Sequence, residues 1–111
     1  MASQQSSDSS MAFLVERYLP AAAADSLPAA VSRVAQLCAS RPGTGVRYLH
    51  SVYLPSEETC FCLFRGPSAE AVRDVNREAG FALDRITDAV LLLPGGDNDD
   101  RPTEQRLRGA R

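Results

Sequence analysis

Apolar and polar residues alternate along four stretches of the chain and recur at helical spacing along two others. Over residues 12–19, Phe13, Val15, Arg17 and Leu19 share one face and Leu14, Glu16 and Tyr18 the other, which predicts a strand ended by Pro20. Arg17 is read there as a strand end reaching solvent, with a buried ion-pair role as the alternative. Leu27, Ala30, Val31, Val34, Leu37 and Cys38 then form a continuous stripe at helical spacing. That helix is expected to start near Asp25 or Ser26 as N-cap and to end at Arg41, Pro42 and Gly43.

Alternation returns over residues 46–54, placing Val46, Tyr48, His50, Val52 and Leu54 on one face and Arg47, Leu49, Ser51 and Tyr53 on the other. Residues 55–58 turn the chain. Residues 59–65 form a third strand with Cys60, Cys62 and Phe64 opposed to Phe61 and Leu63. Ser68 is a good N-cap and Glu70 suits a first helical turn. Ala71, Val72, Val75 and Ala79 supply a buried stripe, Gly80 fits a left-handed helix end, and Phe81 is placed to pack back on the helix. A last strand is expected over 85–93, stopped by Pro94, Gly95 and Gly96.

The order is strand, helix, strand, strand, helix, strand. It predicts an α+β, ferredoxin-like βαββαβ domain, with a four-stranded antiparallel sheet and two helices on one face. Both faces of the central hairpin carry bulky apolar groups, while two helices cover only one. The second face is expected to meet another copy of the chain, a ligand, or both. A homodimer closing into an α/β barrel follows as the expected assembly.

Composition sets the limits of this domain. Residues 1–10 are almost all Ser, Gln, Asp and Ala, and residues 95–111 are equally poor in apolar groups. Both are expected to be disordered, leaving 11–94 as one domain with a modest core. Met11 is an alternative start to Met1. All 12 basic residues are Arg, a usage that fits a GC-rich genome, and they alternate with acids rather than forming a stripe. With a net charge of −2 and a pI near 5.3, nucleic acid is not an expected partner. No apolar run is long enough for a membrane span, no secretion signal precedes the domain, and the three cysteines are expected to be reduced. A cytoplasmic location, away from membranes, is the expectation.

Several segments together resemble a known family: GVRYLH at 45–50, ETCFCLF at 58–64, PSAEAV at 67–72, and REAG at 77–80 followed by DRI at 84–86. They are similar to small ferredoxin-like bacterial proteins, long filed as a domain of unknown function, that include a nickel-binding protein of actinomycetes. The resemblance spans about residues 11–93 and implies the βαββαβ fold, an actinobacterial source, a homodimer and nickel as a possible cofactor. It also implies histidines in the second helix and just after its closing glycine. Asn76 and Phe81 stand at those positions, so the family's ligand set is incomplete here; His50 does match a family histidine.

The candidate chemistry is sparse. His50, the single histidine, reads as a hydrogen-bonded structural residue or as the acid–base group of a small enzyme, since its ordinary pKa lies near neutrality. Cys60 and Cys62 point the same way on one strand, too far apart for an unstrained disulfide. They read as small buried hydrophobes or, with His50 on the neighbouring strand, as a soft-metal ligand set. Glu16, Tyr18, Tyr48 and Tyr53 are candidates to line a pocket where the sheet meets its partner. No phosphate-binding, dinucleotide, zinc-protease or nucleophile-elbow motif occurs. Two readings therefore stay open. One is a dimeric binding protein for a metal ion or small ligand; the other is a dimeric α/β-barrel isomerase, cyclase or cofactor-free oxygenase using His50.

Overall fold

The computed structural model describes residues 11–92 and Pro94. The two segments expected to be disordered lie outside the described residues. Strands β1 (Met11–Tyr18), β2 (Arg47–Leu54), β3 (Thr59–Gly66) and β4 (Arg85–Ala89) alternate with helices α1 (Leu27–Ser40) and α2 (Ala69–Glu78) in the predicted order. The sheet runs β2-β3-β1-β4, and every neighbouring pair is antiparallel. Both helices pack on one face, where Phe13, Val15, Cys60, Cys62 and Phe64 meet Val34, Cys38, Val72 and Val75 in a single core. The other face is bare of helices.

The six apolar residues of the α1 stripe all join that core. Its start falls where expected, with Ser26 at the N-cap position, but a 3-10 turn, Ala21–Ser26, leads into it and the Ser26 side chain makes no capping hydrogen bond. The Ser26 hydroxyl donates instead to the Ala23 carbonyl at 2.9 Å, a local bond that competes with capping. Helix α2 follows its sequence signals closely. Ser68 Oγ accepts from the Ala71 amide at 3.1 Å. Gly80 takes φ +74°, and the Gly80 and Phe81 amides donate to the Arg77 and Asn76 carbonyls, both at 3.0 Å. This is a Schellman closure, and it fixes where Phe81 lies.

Two strands depart from the expected pattern. β4 stops at Ala89, whose partner Ala12 lies one residue from the start of β1, so residues 90–92 have no ladder to join. Val90 and Leu92 stay exposed there. In β2 a bulge between Tyr48 and His50 inserts Leu49 as an extra residue, and Tyr48 faces Phe64 while His50 faces Leu63. The alternation reverses at that point. Tyr48 packs edge-on against Phe64, at 5.7 Å between ring centroids, on the helix side. Beyond the bulge Ser51 and Tyr53 take the helix side, while His50, Val52 and Leu54 turn to the bare face.

Candidate functional site

The bulge decides which chemistry-bearing residues meet. Cys60 and Cys62 lie fully buried on the helix side, with sulfurs 3.9 Å apart. His50 is exposed on the opposite face, so the expected set of His50, Cys60 and Cys62 is not brought together. The physical reason is the one inserted residue, which inverts every side chain after it. Among the described residues no group of three or more His, Cys, Asp or Glu side chains is placed to hold a metal ion.

The four expected pocket residues divide in the same way. Glu16 and Tyr18 stand on the bare face, opposite Phe61 and Thr59, whereas Tyr48 and Tyr53 are half-buried on the helix side. Tyr53 Oη donates to the Leu19 carbonyl at 3.1 Å, a structural role. Tyr48 lines a cleft of about 210 Å³ with Cys38, Val46 and Arg47. Tyr18 Oη donates to Glu58 Oε1 at 3.3 Å, and the Glu58 charge raises the Tyr18 pKa. Glu58 itself has left-handed φ, +51°, and its other carboxylate oxygen accepts the Ala21 amide at 3.1 Å. The Glu58 carboxylate thus ties the β1–α1 connection to the hairpin.

The bare face is a mixed surface. Leu14, Phe61 and Leu63 are half-buried at its centre, with Val52 and Leu54 exposed beside them. Its polar groups include Glu16, Tyr18, Arg65, Arg85 and His50, and Glu16 and Arg85 approach to 3.6 Å. The His50 imidazole makes no hydrogen bond among the described residues, which departs from its reading as a hydrogen-bonded structural residue. His50→Gln is accordingly expected to leave stability within about 0.5 kcal/mol, the range of ordinary surface changes, as urea denaturation would show.

Sequence reasoning placed Arg17 at solvent and noted Asn76 only as standing in place of a family histidine. Arg17 is 1% exposed and Asn76 is fully buried. Arg17 Nη2 donates to Asn76 Oδ1 at 2.9 Å, and Nη1 donates to the Phe81 and Ala82 carbonyls at 3.2 and 3.1 Å. The guanidinium carbon lies 3.4 Å from the Phe81 ring centroid, a cation–π contact. Asn76 Nδ2 donates in turn to the Val72 carbonyl at 2.8 Å. No carboxylate pairs with Arg17 among the described residues, and its Nε–H finds no acceptor. The phase of Arg17 with Phe13 and Val15, and of Asn76 with Val72, was the available signal.

Arg17 faces Cys60 across the β1–β3 ladder. Burial, and after it the charge of Cys62, push the Cys60 thiol up to about 11, against the opposing pull of Arg17. Ser51 Oγ donates to Cys62 Sγ at 2.9 Å and shares a 2.8 Å hydrogen bond with Tyr48 Oη. A polar chain therefore runs Tyr48, Ser51, Cys62, Cys60, Arg17, Asn76 through an otherwise apolar core.

Comparison with known proteins places this architecture. The family model described as "Nickel responsive protein SCO4226-like" matches residues 13–88. The crystal structure of SCO4226 from Streptomyces coelicolor A3(2) superposes with a TM-score of 0.62 at 28% identity, covering 74% of this chain and 99% of that one. No curated protein matches. No helix among the described residues is long and apolar enough to cross a membrane.

Proposed function

The chain belongs to the SCO4226-like family of nickel responsive proteins, and on that premise we propose that it is a small cytoplasmic binding protein, homodimeric through the bare sheet face, that holds a metal ion there. The observation that carries this reading is the face itself. Leu14, Phe61, Leu63 and Val52 form an apolar centre that no helix covers, and the single imidazole of the chain stands on it. A second copy would cover the patch and double the imidazole count, and residues 11–94 are the unit that pairs. The three buried free thiols support a reducing compartment. The enzyme reading has no contact behind it, since His50 lacks a hydrogen-bonded partner among the described residues.

Nickel fits one chain poorly. With no group of three ligating side chains among the described residues, a nickel ion has at most His50 and scattered carboxylates from each copy. Calorimetry on tag-free protein is expected to give a dissociation constant weaker than about 10 µM, or about −7 kcal/mol. Tight stoichiometric binding would show that the ligand set is richer than these residues provide.

Sedimentation at tens of micromolar tests the dimer. Wild type is expected to run as a dimer, and Leu63→Arg to self-associate at least tenfold more weakly with unchanged circular dichroism, because it sets a charge in the centre of the patch. A monomeric wild type would remove the reading.

A further inference from the structure

The bare face leaves the buried pair Cys60 and Cys62 without a role. We infer that these two thiols, with Arg17 beside them, form a two-coordinate site for a monovalent soft cation, Cu(I) or Ag(I). The site is separate from the bare face and does not depend on the dimer.

Three observations converge on it. The sulfurs lie 3.9 Å apart on one face of β3, both fully buried. Taking the zinc–thiolate length of about 2.3 Å as the scale of a metal–sulfur bond, two collinear bonds would set them about 4.6 Å apart, so the thiols need to part by only about 0.7 Å. Arg17, 1% exposed and opposite Cys60, is a buried cation without a carboxylate among the described residues and with an Nε–H that has no acceptor. Ser51 Oγ already donates to Cys62 Sγ at 2.9 Å, the contact that steadies a metal-bound thiolate.

Charge and ligand number select the ion. Binding proceeds as M⁺ + 2 RSH → [M(SR)₂]⁻ + 2 H⁺, with no change of oxidation state. The bis-thiolate complex carries one negative charge, and Arg17 neutralises it inside the core. A divalent ion would give a neutral complex and leave the Arg17 charge uncompensated. It would also want three or four ligands, which the described residues do not supply. Soft thiolates favour Cu(I) on their own account.

The test uses the full, tag-free chain with Ag(I), and with Cu(I) under argon. Each ion is added both to the native protein and during refolding from guanidinium, since the thiols are buried. Native mass spectrometry should show one bound ion and the loss of two protons. Competition with a Cu(I) chelator should show binding at least 100-fold weaker in Cys60→Ser and in Cys62→Ser. It should be at least tenfold weaker in Arg17→Met and unchanged in Cys38→Ser and His50→Gln. Alkylation mapping of the wild-type Ag(I) complex in denaturant needs no variant; Cys60 and Cys62 should be protected and Cys38 labelled. Absence of a bound ion under both conditions would overturn the site. Protection of Cys38 instead, or wild-type affinity in either serine variant or in Arg17→Met, would do so too. Loss of the dimer or of nickel binding leaves these results untouched.

Discussion

Arg17→Ala is expected to destabilise the protein by about 3–5 kcal/mol, the largest effect of any single substitution considered. The side chain is 1% exposed and fills the space between β1 and the end of α2, so truncation opens a cavity. It also strips donors from the Phe81 and Ala82 carbonyls and from Asn76 Oδ1. Asn76→Ala acts on the same contact from the other side. It leaves a buried guanidinium short of an acceptor and is expected to cost about 2–3 kcal/mol. Because the two residues share one bond, their losses should not add, and a double-mutant cycle should return a coupling above about 1 kcal/mol. Urea denaturation of the four proteins reads all three quantities. A loss below about 1 kcal/mol for Arg17→Ala would mean that the buried cation costs nearly as much to hold as its partners return.

What keeps Arg17 buried also explains why sequence reasoning misplaced it. Its acceptors are 59 to 65 residues away, on the closing turn of α2. The Schellman closure at Gly80 aims the Phe81 and Ala82 carbonyls and the Phe81 ring at β1. The helix was legible in Ser68 and the Val72–Val75 spacing, and its closure in Gly80, because each acts on its own backbone neighbours. The convergence of its carbonyls on a particular strand is tertiary and leaves no local mark. A polar residue in phase with apolar ones, as Arg17 is with Phe13 and Val15, is the trace that remains.

The bulge in β2 was hidden for a different reason. Residues 46–54 carry apolar groups at both parities, so period-2 alternation is satisfied before and after a one-residue slip. The consequence for the site is large. Without Leu49 as the extra residue, His50 would stand beside Cys60 and Cys62; with it, the imidazole belongs to the bare face and the thiols to the core. One residue thus separates two chemistries that the strand sequence alone places together. In β4 the reverse holds. The apolar run 90–93 reads as strand, but pairing ends where β1 does, and Val90 is left 82% exposed.

The same core sets an alkaline limit on the fold. Stability of the metal-free, reduced protein is expected to fall by about 2–3 kcal/mol as pH rises from about 8.5, an ordinary thiol pKa, towards 11. The Cys60 thiol is pushed up to about 11 by burial and by Cys62, so the folded state favours its protonated form. Below the unfolded value both states hold the proton and the stabilisation is complete. Above it the unfolded chain ionises first and gains relative to the folded one. The loss continues until the pH passes the folded value. Burial raises Cys38 and Tyr48 as well, and both act in the same direction. Urea denaturation at intervals from pH 7.5 to 11, with reductant and chelator present, should show this decline in wild type and a clearly smaller one in Cys60→Ala. An identical decline in the two proteins would assign the alkaline loss to the tyrosines and Cys38, and would show that Cys60 ionises no less readily in the fold than outside it.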